Sequence, residues 1–188
     1  MLIWTPPRAT APARDAQPSA QGIRAAAPAA RAPMRPLPRP GPRPGITIAS
    51  PIDAILVEKA ARRMTVWQRS GPPGSFPIRL GFAPTGDKQR RGDGRTPEGS
   101  FRIDRLNRHS AFHLALGIDY PQPRHRNAAR RAGVDPGGDI MIHGQPAQVP
   151  PGWRISGDWT AGCIALDNAA MDQIFAHAAP GTPVEIRP

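Results

Sequence analysis

From residue 46 onward the apolar residues of this chain come in short β-branched runs, each closed by a polar or Gly/Pro cluster, a spacing that suits strands rather than helices. Ala54-Ile55-Leu56-Val57 and Met64-Thr65-Val66-Trp67 flank a polar connection and predict a first hairpin. Residues 70–74 form a turn cluster, and 76–82 predict the next strand, with Gly81 marking a bulge or a close backbone approach. Further strands are expected at 100–103, 111–116, 140–142 and 183–186. Helical spacing occurs at Met171, Ile174, Phe175 and Ala178, behind a cap at Asp167 or Asn168 and ahead of Pro180-Gly181. An Arg-rich excursion over 120–138 has room for one short helix around 126–132. The expected fold is mainly β, with one well-formed helix near the C-terminal end.

Residues 1–46 have a different composition. They hold eleven of the 26 prolines, and their seven arginines against one acid carry a net +6 of the chain's formal +11. With almost no large apolar side chains, this segment buries too little surface to offset the entropy of ordering. Its Arg35-Pro36-Leu37-Pro38-Arg39-Pro40 stretch favours extended polyproline II. We expect a disordered tail or linker over 1–46 and a single domain over 47–188. A basic chain fits an anionic partner, yet no aromatic-interleaved basic motif or reading helix is present, which argues against nucleic acid. The single cysteine rules out an internal disulfide. No apolar run approaches the roughly twenty residues of a membrane-spanning helix. Met1-Leu2-Ile3-Trp4, cut off by Pro6 and Pro7, is too short for the apolar segment of a signal peptide.

The chemistry concentrates in residues 139–168. Ile140-Met141-Ile142-His143-Gly144 reads as a buried strand running into a turn, and Asp158-Trp159-Thr160-Ala161-Gly162-Cys163-Ile164-Ala165-Leu166 places a small dipeptide ahead of the only thiol. A cysteine nucleophile needs a base for its proton and backbone N–H groups for the oxyanion that forms on attack at a carbonyl. Ala161 and Gly162 leave those amides uncovered, and His143 supplies the base if the two strands lie side by side. Taken singly, a lone cysteine is more often a buried hydrophobe and a strand histidine more often a core residue. The joint pattern shifts that balance.

His143-Gly144 followed by Thr160-x-Gly162-Cys163 resembles the active-site signature of the L,D-transpeptidases with the YkuD-type catalytic domain: a histidine, a spacer of similar length, then Ser or Thr, His, Gly and Cys. Gly92-Asp93-Gly94-Arg95-Thr96-Pro97-Glu98-Gly99-Ser100-Phe101 and Phe112-His113-Leu114 through Asp119-Tyr120-Pro121 are also similar to that family, so the resemblance covers residues 48–186. Within it, the chain is most similar to a sub-branch reading Asp-Trp-Thr-x-Gly-Cys-Ile-Ala. The resemblance implies a YkuD-type sandwich of mixed sheets and acyl transfer on peptidoglycan stem peptides through a thioester. Cys163 would be the nucleophile, His143 the base, and the Gly144 carbonyl the group that orients the ring. Amides at Ala161 and Gly162 would hold the oxyanion. It also implies no cofactor and no metal, and a place in the periplasm or cell envelope; the charge of the basic tail separately suits contact with an anionic wall or membrane surface.

Two departures bear on the reaction. Ala161 stands where most of the family has a second histidine, and Ala165 where many have arginine or asparagine two residues past the cysteine. The acceptor is therefore open between an amine, giving transpeptidation, and water, giving an L,D-carboxypeptidase or an amidase. A catalytically silent wall-binding module is the alternative from another class. Thr160, Arg154, Trp159 and His113 are candidate substrate contacts, with Arg154 the candidate replacement for the charge that Ala165 lacks. His109 and His113, four apart, would suit zinc only on a helix, and the surrounding alternation argues for a strand.

Overall fold

The structure is a computed structural model describing residues 34–36, 47–150 and 153–188. Its strands are β1 (Met34–Pro36), β2 (Ile52–Glu58), β3 (Arg63–Gln68), β4 (Gly74–Pro77), β5 (Gly99–Ser110) and β6 (His113–Ile118), followed by helix α1 (Pro123–Ala132). Then come β7 (Met141–His143), β8 (Trp153–Ile155), β9 (Ile164–Ala165), helix α2 (Asn168–His177) and β10 (Pro183–Arg187).

Eight strands form one mixed sheet in the order β4-β3-β2-β10-β5-β6-β7-β9. β10 runs parallel to β2 and β9 parallel to β7, and the remaining neighbours are antiparallel. Alternation decides which way each strand faces. Ile55, Val57, Met64, Val66, Val184, Ile186, Phe101 and Ile103 point into the core, while Ala54, Trp67 and Arg102 stand on the open side. β6 departs from alternation because Ala115 to Ile118 are all buried, as expected of a strand covered on both faces. α2 supplies one of those covers through Met171, Ile174 and Phe175, the positions whose helical spacing predicted it.

The strand expected over 76–82 ends at Pro77. The chain then leaves β3 and crosses to the far edge of the sheet, where Arg79 bridges Ala165 and Gly81 bridges Thr160. Residues 78–82 thus join the β4 edge to the β9 edge, and the sheet curls closed around its core. Backbone groups that an open edge would leave unpaired are satisfied there. Gly81 is the close approach anticipated for it: a Cβ at that position would lie 2.1 Å from the Gly94 carbonyl oxygen and 2.9 Å from the Gly162 Cα.

Helix α1 begins three residues ahead of the expected span, at Pro123, which fits the first helical position because its missing N–H has no partner to lose there. The Gln122 amide donates to His125 Nδ1 at 3.1 Å, a cap that no apolar period announces. Of the segment expected as a tail, Met34–Pro36 instead pairs antiparallel with Trp153–Ile155, a short ribbon outside the main sheet whose free backbone edge offers the pairing. The rest of 1–46 lies outside the described residues.

Two buried cations fix the long Gly- and Arg-rich loop at 83–99. Lys59, 2% exposed, donates to Glu98 Oε1 at 2.7 Å and to the carbonyls of Gly86 at 2.7 Å and Thr96 at 3.0 Å. Lys88, also buried, donates to Asp93 Oδ1 at 2.8 Å. Burial opposes ionisation of Asp93, but Lys88 and three backbone amides outweigh it and bring the carboxyl down to about 2. Removing one partner of such a pair leaves an uncompensated buried group and costs about 3 kcal/mol. Lys59→Met should accordingly lower the unfolding free energy in urea by about that amount, and a loss below about 1 kcal/mol would show that the loop is held elsewhere.

Candidate active site

β7 carries His143 and stands between β6 and β9. Ile142 pairs with Ile164 and His143 with Ala165, so the parallel register continues to Met141 opposite Cys163. Ile142 and Ile164 are fully buried in the core, which turns His143 and Cys163 toward the other face, on adjacent strands and two residues out of step. The expected side-by-side arrangement of the two clusters is therefore present.

His143 is buried, and its Nδ1 lies 2.7 Å from the Gly144 carbonyl oxygen. A carbonyl only accepts, so Nδ1 carries the proton and Nε2 keeps its lone pair in the neutral ring. Gly144 tolerates no side chain at this turn: a Cβ would lie 2.6 Å from Asn168 Oδ1 and 3.0 Å from the His113 Cβ. Asn168 accepts the Gln145 amide at 2.7 Å and so ties the first turn of α2 to the histidine turn. Phe112 lies 4.7 Å and Trp159 5.7 Å from the His143 ring, centroid to centroid. Burial lowers the imidazole pKa, with the Gly144 hydrogen bond opposing.

Cys163 is half-buried and its Sγ lies 3.4 Å from the Asp139 carbonyl oxygen. Burial raises the thiol pKa, opposed by a backbone hydrogen bond from Met141. The preceding loop is clamped by its own threonine. Thr160 Oγ1 donates to the Cys163 carbonyl at 2.7 Å and accepts the Gly162 amide at 3.1 Å. Gly162 takes a φ of +138°, and a Cβ there would lie 2.7 Å from the Arg95 carbonyl oxygen. Asp158 anchors the start of the loop, accepting the Leu80 amide at 2.9 Å and the Arg62 guanidinium at 2.7 and 2.9 Å.

Several expected contacts fall elsewhere. Thr160 is 4% exposed and its hydroxyl is committed within the loop, so it does not face a substrate. The Gly162 amide is taken by Thr160, while the amides of Ala161 and Cys163 bond to no described residue. His113 turns away from the cleft toward α2, with Nε2 2.5 Å from Asp172 Oδ1. Among the described residues no group of three or more His, Cys, Asp or Glu is placed to hold a metal ion. Trp159 and Arg154 line a narrow crevice with Arg79, Gln145 and Ala165. Sequence reasoning missed Arg79, which exchanges backbone hydrogen bonds with Ala165 at 2.8 and 2.9 Å. Its Nε is buried and has no hydrogen-bond partner among the described residues. It also missed Phe112, read as a strand residue and found half-exposed over the imidazole.

The profile of the YkuD L,D-transpeptidase catalytic domain matches residues 52–186 of this chain. YafK of Escherichia coli (strain K12), which carries a provisional L,D-transpeptidase name, is 34% identical over 92 residues, 48% of this chain and 30% of YafK. The helical cell shape determining protein Pgp2 from Campylobacter jejuni superposes with a TM-score of 0.53 at 24% identity, covering 76% of this chain and 50% of Pgp2. Its K307A variant gives a TM-score of 0.55 at 23% identity, with 76% and 49% covered. The chain thus spans about half the length of Pgp2 and a smaller share of YafK. At these identities the structural likeness speaks to the fold.

Burial raises the thiol pKa and lowers the imidazole pKa, so both shifts favour the uncharged forms. Alkylation of Cys163 by iodoacetamide should keep rising with pH beyond the ordinary thiol midpoint of about 8.5. A reactive plateau already present at about pH 6 would instead reveal a preformed thiolate and imidazolium pair.

Proposed function

This chain belongs to the L,D-transpeptidase catalytic-domain family, and from that premise we propose that it performs cysteine-dependent acyl transfer on peptidoglycan stem peptides in the cell envelope. The observation that carries the proposal is the β7–β9 register, which sets Cys163 and His143 on one face of adjacent strands, two residues out of step, with the histidine Nδ1 on the Gly144 carbonyl. Cys163 Sγ attacks the carbonyl carbon at the L-centre of an L,D peptide bond while its proton passes to His143 Nε2. The carbonyl oxygen becomes an oxyanion received by the Ala161 and Cys163 amides, each good donor contributing roughly 3 kcal/mol in comparable sites. The intermediate collapses, the C–N bond breaks, and His143 returns the proton to the leaving amine. An amine or water then attacks the thioester, loses its proton to His143, and releases the thiol.

Neutral partners suit this sequence of steps. The base is unprotonated when needed, and the cost of charge separation is met only as the oxyanion forms. The basic segment 1–46 would hold the domain against the anionic wall or membrane surface.

Incubation with a disaccharide tetrapeptide and mass analysis of the products tests the reading. Cross-linked dimers are expected if an amine is the acceptor, and shortened monomers if water is. Neither product should form with Cys163→Ala, and an inert wild-type chain would favour the silent wall-binding module.

Arg79 and Arg154 take the place of the cation missing at position 165. Both flank the crevice beside Ala165, where a guanidinium would pair with a stem-peptide carboxylate. A charge-assisted hydrogen bond contributes about 2 kcal/mol, so Arg79→Gln and Arg154→Gln should each raise KM about 30-fold with little change in kcat. An unchanged KM in both variants would remove them from the substrate site.

A further inference from the structure

The open face of the β3-β2-β10-β5 half of the sheet carries a groove of about 370 Å³ that shares no lining residue with the candidate active site. The register lays out its floor. Trp67 pairs with Ala54, Pro183 is next to Ala54 in the parallel ladder, and Pro183 pairs with Arg102. This row crosses four strands, about 14 Å from end to end at the usual inter-strand spacing. Small residues at its centre leave the Trp67 indole, 40% exposed, lining one end.

The polar groups around the groove are already fixed. Gln122 Nε2 donates to Asp119 Oδ2 at 3.0 Å and to the Ser100 carbonyl at 3.1 Å. Ser100 Oγ donates to Glu185 Oε2 at 2.6 Å, and Arg102 Nη1 donates to the Gly181 carbonyl at 2.9 Å. Two guanidinium groups, Arg102 and Arg187, are matched by two carboxylates, Asp119 and Glu185, so the lining is neutral in a chain of formal charge +11. Anionic polymers are not favoured at such a place. An exposed indole beside a fixed, neutral array of hydrogen-bonding groups suits a pyranose ring, whose apolar face stacks and whose hydroxyls both donate and accept.

We infer that this groove binds a neutral saccharide, as a glycan-chain subsite sharing no lining residue with the cleft. The inference rests on the proposed function only in identifying the sugar with the glycan of the same polymer. The test uses the full chain carrying Cys163→Ala and a tetramer of N-acetylglucosamine, followed by calorimetry and amide chemical shifts. Saturable binding is expected, with shifts confined to the groove. Adding Trp67→Ala should weaken it about tenfold or more, while Trp67→Phe should retain part of it. In the chain with Cys163 intact, Trp67→Ala should leave iodoacetamide alkylation unchanged. Absence of saturable binding, binding indifferent to Trp67→Ala, or preference for an anionic polymer such as heparin would each overturn the inference. Since binding needs no acyl transfer, a chain inert in the tetrapeptide assay that still takes the sugar would sink only the catalytic reading.

Discussion

Three backbones meet without side chains at Gly81, Gly94 and Gly162, and the placement of the Cys163 loop rests on that contact. Gly162 belongs to the loop ahead of the thiol, Gly94 to the loop at 83–99, and Gly81 to the crossing segment that closes the sheet. A methyl group at Gly81 would demand that at least one of them retreat. Each backbone is tied down separately. Gly81 donates to Thr96 Oγ1 at 3.3 Å, Thr96 is gripped by buried Lys59, and Asp158 holds both the neighbouring Leu80 amide and the Arg62 side chain. The thiol is placed by interactions that begin more than a hundred residues earlier in the chain.

The site gains its directionality from the elements on its other side. Gly144 accepts from His143 Nδ1 and is itself confined by Asn168, His113 and Phe112, so ring orientation is settled by packing around a residue with no side chain. Phe112 and Trp159 then flank the ring and restrict the water that reaches it. Burial that lowers the imidazole pKa and raises the thiol pKa would also strengthen hydrogen bonds to the oxyanion of the proposed reaction.

Much of this was legible in the sequence because strands announce themselves by alternation and the helix α2 by its period. The His143 and Cys163 clusters stood out by residue type and by their resemblance to a known signature, and their pairing depended on two strands lying side by side, as β7 and β9 do. What was illegible depends on contacts between distant segments. Nothing local marks 78–82 as a crossing strap, since its residues read as an ordinary strand until their partners are known. Thr160 looked like a substrate contact because a hydroxyl beside a nucleophile invites that reading, and only burial reveals it as a clamp. Arg79 was hidden for the opposite reason: one arginine among many in a basic chain carries no signal until its unpartnered Nε and its bridge to Ala165 are seen. The cap on α1 uses a histidine in place of the usual acid or hydroxyl, so its start was read late.

The scarcity and placement of lysine have a bearing on self-modification. The sequence contains only Lys59 and Lys88, both sunk below the surface and engaged with acids, and every other basic side chain apart from histidine is arginine. Guanidinium groups stay protonated at any physiological pH and do not compete as nucleophiles. An activated ester held at Cys163 would find no lysine of its own chain to label, and a neighbouring copy would offer none either. On the proposed path the acyl group would thereby be left to whatever enters the cleft.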